Sequence, residues 1–548
     1  MTPLLLTGHE AMAHIGSAPF QAKWTALLGA CPWASACQHP DFVLPWYALY
    51  ADRFLPVVAL HEEGDGTLAG FLPLALDGAG RRLTGAGERQ AEYQVWLQPP
   101  DTDAAFIQGA IRAVRARFPR ADLALRYLPT GTPLAWLGTM RDAGLWYTLR
   151  STARPLMHID AAAMARQRSK KNHRQNFNRL NRLGEVRLEK VVAHDHFLGV
   201  IDTLCDQYDF RQAALYRDRP FATDAAKKAF YIALHKRGLL HVTLLTVGGD
   251  IAASHIGLVS EGRAVHLGIN TGNPALSAHS PGNLLLSMLG VQLAAERMPL
   301  LDLTPGGDKY KEHFASGHDV VSELTIYSSA WGRLATATRQ GCKTLAKALL
   351  DKAGWRPHDV SALVGRIKAW EWAGVASRWN PRRPAPGRDA PVLRYGGAHD
   401  AAAACPLPVS RNRLPDMLAF DAAGSACNYH AFLHTAMKRM ERGEACYSVV
   451  RDNRLGILCW VRVDIPGKAV VIGDVYVHRS CASTALLVGF IVGVLTDIQR
   501  RHPNADIVYQ GGPGFDHSAI MARCGFHGIA TGSPRSASQE PAPCSQVN

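Results

Sequence analysis

Two apolar hairpins constrain what this chain can fold into more than any other feature. Phe54 to Leu60 (FLPVVAL) and Leu68 to Leu76 (LAGFLPLAL) flank the turn Glu63-Gly64-Asp65-Gly66, and Leu239 to Val247 and Ile251 to Val259 flank Gly248-Gly249-Asp250. Short apolar runs separated by Gly/Asp clusters are strands that return on themselves. Helical text surrounds them. Ala104 to Phe118 carries apolar residues at 106, 107, 110, 111 and 114, the spacing of one buried face. Further helices are expected over Met164 to Leu183, His194 to Leu215, Asp224 to Arg237 and from Leu284 to Glu296, with strands at Asp122 to Tyr127, Ala264 to Ile269 and Leu300 to Leu303. Helices, antiparallel strands, loop, helix and strand in this order suit a layered α/β or α+β domain.

The length of 548 residues allows about three or four folding units. The text divides into 1–155, 156–330, a basic segment and linker at 331–390, 391–532, and a Ser/Pro-rich tail at 533–548 that is expected to be disordered. The 391–532 unit reads as a helix around Tyr429 to Arg442, strands at Cys446 to Val450, Leu455 to Val463 and Ala469 to Val477, an apolar helix 484–499 and a strand Asp506 to Tyr509. Its longest apolar stretch, Ala485 to Leu495, is broken by Gly489 and Gly493 and falls short of the ~18 residues of a spanning helix. The start MTPLLLTGHEAMAH lacks the basic n-region of a secretory signal, so a cytoplasmic protein is expected. Eleven cysteines without a CxxC pair point to free thiols and to neither zinc nor a disulfide framework.

The formal charge is +14, and residues 331–390, with twelve Lys/Arg against four Asp/Glu, supply +8 of it. A second basic stretch, Arg166 to Lys190, places 171, 174, 178 and 182 on one helix face. Such a stripe is either a polyanion contact or a solvated face. No helix-turn-helix or zinc-finger spacing accompanies it, so no specific DNA partner is expected.

Two further stretches carry chemistry. Ser280-Pro281-Gly282-Asn283 feeds a helix N-terminus, where open N–H groups and the positive end of the macrodipole receive phosphate. Asp302, Gly306, Gly307, Asp308, Lys309, Tyr310 and Lys311 form a polar cluster straight after an apolar strand. Its glycines let a ligand approach the backbone, while Asp308, Tyr310 and Lys311 offer proton transfer and anion contact.

Taken in order, these stretches resemble a known family. Ser169-Lys170 with Arg174 and Leu183-Gly184, Phe221, Phe230-Tyr231, Ser280-Pro281-Gly282 with Leu284-Leu285, then Asp302 and Gly307-Asp308-x-Tyr310-Lys311 resemble the CelD-like branch of the GNAT acyltransferases, named for a cellulose-biosynthesis protein. Phe42-x-x-Pro45-Trp46, Phe71-Leu72-Pro73-Leu74 and Gly85 to Tyr93 resemble that family's first lobe. The resemblance covers about residues 20 to 330. It implies tandem GNAT-like lobes, similar to those of the Fem ligases, with the donor's pyrophosphate on Ser280 to Asn283. The 391–532 unit is weakly similar: Arg479 to Thr484 before an apolar helix and Ala519 to Phe526 stand where a degenerate third GNAT-like lobe would have them, and Cys481 and Cys524 there read as small buried hydrophobes.

The resemblance implies a cytoplasmic acyltransferase moving an acyl group, most simply acetyl, from acetyl-CoA or another acyl-CoA to a saccharide or amine acceptor in envelope or exopolysaccharide biosynthesis, without a metal. Asp308 is the expected base or base-orienter, Tyr310 the acid towards the leaving thiolate, and Lys311 and Arg174 the anion contacts. Position 306–307 reads Gly-Gly where the family often has Arg-Gly, and the 280–283 turn is poorer in glycine than a typical phosphate loop. Two alternatives therefore stay open: an aminoacyl-tRNA donor held by the basic segments, and a non-catalytic scaffold whose 331–390 helices, with Trp355, Trp370, Trp372 and Trp379, lie on an anionic membrane or a synthase complex.

Overall fold

The computed structural model describes residues 2–334, 392–397, 405–464, 469–511 and 518–528, apart from 143, 163, 165, 167–169, 261, 424 and 426. The expected basic segment and linker from 335 to 390, with its four tryptophans, and the tail 533–548 lie outside the described residues. The chain forms two compact units, 1–378 and 379–548.

In the first unit a mixed sheet runs through β1 (Leu4–Thr7), β2 (Phe54–Glu62), β3 (Leu68–Asp77), β4 (Arg82–Gly85), β5 (Asp122–Leu128), β6 (Tyr147–His158), β7 (Val186–Lys190), β8 (Leu240–Val247), β9 (Asp250–Ser260), β10 (Ala264–His266), β11 (Ile269–Gly272), β12 (Leu300–Asp302) and β13 (Gly317–Ile326). Its order is β1-β2-β3-β4-β5-β13-β6-β12-β10-β9-β8-β7, with β11 paired to β9. Both expected hairpins are present as antiparallel pairs, β2 with β3 and β8 with β9. β2 and β3 read as unbroken apolar runs because helices cover both of their faces: Phe20 and Trp24 of the helix Ala18–Ala30 pack on Phe71, and the helix Ala105–Arg117 brings Phe106 against Gly70.

β6 and β13 carry no apolar run to announce them. They pair over ten residues, from Gly317 opposite Leu156 to Ile326 opposite Tyr147, with polar residues interrupting the apolar ones on both strands. β13 also pairs with β5, so the last strand of the unit is inserted between β5 and β6. The boundary expected at residue 155 falls inside β6.

Residues 264 to 269, expected as one strand, are two. A Cβ on Gly257 would meet the His266 carbonyl oxygen at 1.8 Å, and one on Gly268, at φ +53°, would meet that of Ile256 at 2.2 Å. Only glycine fits both positions, and the resulting break turns β11 away from β10. The next helix, Pro281–Ala295, begins three residues before the expected Leu284, because proline's fixed φ suits the first helical position. The helices His194–Tyr216 and Ala225–Lys236 bring Phe197, Ile201, Phe230 and Leu234 into one core with the first-lobe aromatics, and the Phe42 and Phe230 rings meet edge-on at 5.1 Å.

The second unit has a seven-stranded sheet: β14 (Val392–Tyr395), β15 (Ser410–Arg411), β16 (Ala445–Arg451), β17 (Arg454–Asp464), β18 (Ala469–Val477), β19 (Asp506–Gln510) and β20 (Phe526–Gly528). The helix Thr484–Arg501 lies between the parallel strands β18 and β19 in sequence, as the apolar text requires. Its two glycines admit a neighbouring segment: a Cβ on Gly493 would meet the Leu407 carbonyl oxygen at 2.3 Å, and the Leu407 N–H donates to the Gly489 carbonyl. Cys481 and Cys524 are buried, and burial pushes the Cys524 thiol up to about 11. No described helix is long and apolar enough to cross a membrane.

Candidate active site

β10 and β12 run parallel for only two rungs, Val265 with Leu301 and His266 with Asp302. One more bond, from the Leu267 N–H to the Asp302 carbonyl at 2.8 Å, precedes the break at Gly268. The strands then part, and the chain returns through the helix Pro281–Ala295 before β12. A ligand in an open α/β sheet enters where parallel strands diverge beyond their carboxyl ends.

Asp302 closes this divergence and is 1% exposed. Its Oδ2 accepts from the Tyr93 hydroxyl at 2.6 Å, from Arg154 at 3.2 Å and from His266 Nδ1 at 3.1 Å, while Oδ1 accepts the Thr304 N–H at 2.8 Å. Burial alone would push this carboxyl up, but His266, Arg154 and Tyr93 together hold it below the usual range. Arg154 also makes a two-pronged pair with Asp319, its cross-strand neighbour on β13. On the far side of His266, Nε2 lies 3.1 Å from Ser260 Oγ. Three strands, β6, β10 and β12, and the loop holding Tyr93 thus converge on one carboxylate.

The loop after β12 is fastened from inside. Lys311, 6% exposed, donates to the Thr304 carbonyl and hydroxyl at 3.3 and 3.2 Å and to the Pro305 carbonyl at 3.3 Å, with Asp308 Oδ2 3.7 Å away. Its ammonium is a clamp on residues 304–305. Asp308 precedes the short helix Lys309–Phe314 and stands exposed, whereas Tyr310 is half-buried. Burial, aided by the Asp308 charge, pushes the Tyr310 phenol up to about 12, so it keeps its proton at neutral pH. Glu92, paired with Arg126 at 3.6 Å, is pushed above the usual glutamate range by burial and by the charge of Asp302, against the pull of Arg126.

A cavity of about 490 Å³ opens at the start of the helix Pro281–Ala295. Asn283 and Ser287 line it from that helix, Lys170, Lys171, His173 and Asn176 from the segment leading into and along the helix Lys171–Asn181, and His313 from the loop side. Ser280, at φ +52°, turns the chain into the helix without a side-chain cap, which leaves the first-turn N–H groups of Gly282 and Asn283 to whatever occupies the cavity. The Ser287 hydroxyl is 4% exposed and has no hydrogen-bond partner. Lysines, helix N–H groups and a buried hydroxyl are all donors, the chemistry an anion would call for. Pro281 is buried against the core, and Arg174 stands exposed outside the cavity lining.

A second parallel pair, β4 with β5, diverges in the same sheet after Thr84 and Ala124. There Gln94 spans the gap, beside a cavity of about 240 Å³ that it lines with Thr84, Ala124 and Arg126. Gln94 Oε1 accepts the N–H groups of Gly85 at 3.2 Å and Arg126 at 3.1 Å, the Gln94 N–H donates to the Arg126 carbonyl at 2.9 Å, and a Cβ on Gly85 would strike the Gln94 side chain at 2.6 Å.

Of the residues singled out from sequence, Asn283 shares the cavity with the basic helix, while Asp308, Tyr310 and Lys311 line the loop beside the Asp302 cluster. His266, Arg154, Asp319 and Ser260 were not singled out. A histidine inside the apolar text of β10 was the only local signal, since a polar group in a core strand must be matched by a partner. Among the described residues no group of His, Cys, Asp or Glu side chains is placed to hold a metal ion.

Residues 167–312 match the acetyltransferase (GNAT) domain family, a stretch that includes Lys170, Asn283 and Ser287 of the cavity and His266 and Asp302 of the cluster. Solved structures similar to it include FemX (8% identity, 57% of this chain and 98% of that one, TM-score 0.42). A tandem GNAT protein from the clavulanic acid biosynthesis pathway is also similar (12%, 60% and 99%, TM-score 0.36), as is L-PGS from Bacillus licheniformis (12%, 57% and 93%, TM-score 0.35). No curated protein sequence matches the chain.

Proposed function

We propose that the chain transfers an acyl group, acetyl in the simplest case, from acyl-CoA to an amine or hydroxyl of an envelope or extracellular polysaccharide or its precursor. The observation that carries the donor half is the cavity at Asn283 and Ser287, where Lys170 and Lys171 face open helix N–H groups. A pyrophosphate fits that donor set, and it would leave the rest of an extended thioester to run towards the divergence of β10 and β12. The polysaccharide acceptor rests on the CelD-like residues, among them Asp302, Gly307-Asp308 and Tyr310-Lys311.

The chemistry asks for a proton acceptor, a donor towards the leaving thiolate, and positioning of both substrates. In this reading Asp308, exposed beside the cavity loop, takes or orients the acceptor's proton. Tyr310, protonated at neutral pH, donates to the thiolate. Lys311 keeps the loop carrying both in place, and the anion contacts fall to Lys170 and Lys171. Titrating the full chain with acetyl-CoA and with CoA by calorimetry tests the donor: binding of both, lost when Lys170 and Lys171 become alanine, is expected. Absent CoA binding together with a steeply salt-dependent affinity for aminoacyl-tRNA would overturn it in favour of the tRNA donor.

A further inference from the structure

The first lobe carries a cavity of its own, apart from the donor site. It holds about 240 Å³ and opens where the parallel strands β4 and β5 separate, with β13 on its third side. Arg82 and Thr84 reach it from β4, Arg126 from β5, and Glu323 and Thr325 from β13. On each strand these positions are spaced by two, so they share one face of the sheet. A ligand cannot thread the strand gap itself, because Gln94 Oε1 already accepts the N–H groups of Gly85 and Arg126 there. What the cavity offers is side chains.

Those side chains carry both signs of charge. Among the described residues, three arginines and two glutamates line the cavity. Glu88 is committed, pairing with Arg82 at 3.1 Å and with Arg89 at 3.7 Å. Arg126 reaches Glu92 at 3.6 Å, longer than a hydrogen bond. Glu323 is half-buried, and no described residue makes a hydrogen bond or ion pair with its carboxylate, including Arg150, its cross-strand neighbour on β6. The half-buried Thr325 hydroxyl on the same face likewise has no partner among the described residues. An anion entering here would meet Glu88 and Glu323, and a cation would meet the arginines, so charge complementarity selects a neutral ligand that presents donors and acceptors side by side. Neighbouring hydroxyls of a sugar have that pattern: each donates to a carboxylate oxygen and accepts from a guanidinium or a threonine.

Two elements connect the cavity to the Asp302 cluster. Tyr93, next to Gln94, donates to Asp302, and Asp319, four residues before Glu323 on the same face of β13, pairs with Arg154, which also donates to Asp302. Four residues of strand span roughly 13 Å. A chain of sugars bridges that distance and a single sugar does not.

We propose that the cavity between β4, β5 and β13 is a subsite for one neutral sugar unit of the acceptor, a few units along the chain from the unit that receives the acyl group. This rests on the saccharide-acceptor reading and adds a requirement to it: the acceptor is an oligosaccharide or a polymer. Glu323 accepts from the hydroxyls of the bound unit, and Arg126 and Thr325 donate to them.

The test reads binding by the full chain, without acyl-CoA. On an array of neutral, amino and uronic oligosaccharides of graded length, the protein is expected to be retained on neutral chains and not on single sugars. Glu323→Gln and Thr325→Val, each melting at the wild-type temperature, are expected to weaken that binding about tenfold, with acetyl-CoA affinity by calorimetry unchanged. Neutral-chain binding that both variants leave intact overturns the subsite and leaves the saccharide acceptor standing. Retention on charged chains alone overturns the subsite as well, since the lining would then be reading a charge. Retention on no glycan removes the acceptor reading and the subsite together. A calorimetric affinity for glycine that Glu323→Gln abolishes would assign the cavity to a zwitterion and overturn the sugar.

Discussion

The Tyr93 hydroxyl donates to Asp302 Oδ2 at 2.6 Å across 209 residues of sequence, tying the loop after β4 to the end of β12. Asp302 is a buried charge held by Arg154, His266 and Tyr93 at once, and removing one partner of such a group leaves the others uncompensated. Asp302→Asn is therefore expected to destabilise the first unit by about 3–5 kcal/mol in urea unfolding. Tyr93→Phe, which loses one hydrogen bond to a charged acceptor, is expected to cost about 1.5–3 kcal/mol. Because the folded carboxyl sits below its ordinary value, this stabilisation is present above that value and disappears as pH falls through the folded pKa. The gap between wild type and Asp302→Asn should narrow in acid.

Glu92 behaves in the opposite sense. Burial raises its pKa, so the folded state disfavours the ionised form, and the Glu92 contribution is complete below the ordinary glutamate value and is lost as pH rises through the folded one. Melting curves from pH 4 to 8 are expected to show the wild type losing ground to Glu92→Gln as pH increases. A gap that stays constant across that range would contradict the burial described here.

Ser287→Ala separates binding from folding. Removing a buried hydroxyl without a partner, and placing alanine in a helix, is expected to leave the ligand-free protein as stable or up to about 1 kcal/mol more so. Donor affinity, read by calorimetry, is expected to fall in the same variant. A loss of both would mean that the hydroxyl serves the fold.

Gln94 offers the fourth test. With Gln94→Ala the N–H groups of Gly85 and Arg126 lose their shared acceptor between β4 and β5, each at about 1–3 kcal/mol. A lower thermal midpoint is expected, with faster amide exchange in β4 and β5 before the rest of the sheet. Protection that remains uniform would show that the gap between these strands does not depend on Gln94.

Much of the fold was legible because burial leaves period and punctuation in the text. The hairpins β2–β3 and β8–β9, the long helices and the strands β16 to β19 of the second unit follow from apolar runs and Gly/Asp turns, whereas β14 and β15 were not visible. β6 and β13 were not, since their side chains are polar and half-exposed and their pairing is set by partners some 170 residues apart, such as Thr148 and Thr325. The loop residues Asp308, Tyr310 and Lys311 were visible as a polar cluster after a strand. Lys311's inward clamp was hidden, because its acceptors are backbone carbonyls that no residue type announces. The Asp302 cluster was equally hidden: Tyr93, Arg154, His266 and Asp302 become neighbours only when four separate segments meet.

The insertion of β13 between β5 and β6 also has a consequence in time. While the chain is being synthesised, β5 leaves the ribosome roughly 190 residues and β6 roughly 160 residues before Gly317–Ile326, the strand that joins them. Until then each presents an unpaired edge, a template for any other strand in the vicinity. Closure depends on a contact of high sequence separation, which forms slowly and late. The nascent protein therefore passes through a long interval with those edges open, and only the arrival of its last strand joins β5 to β6.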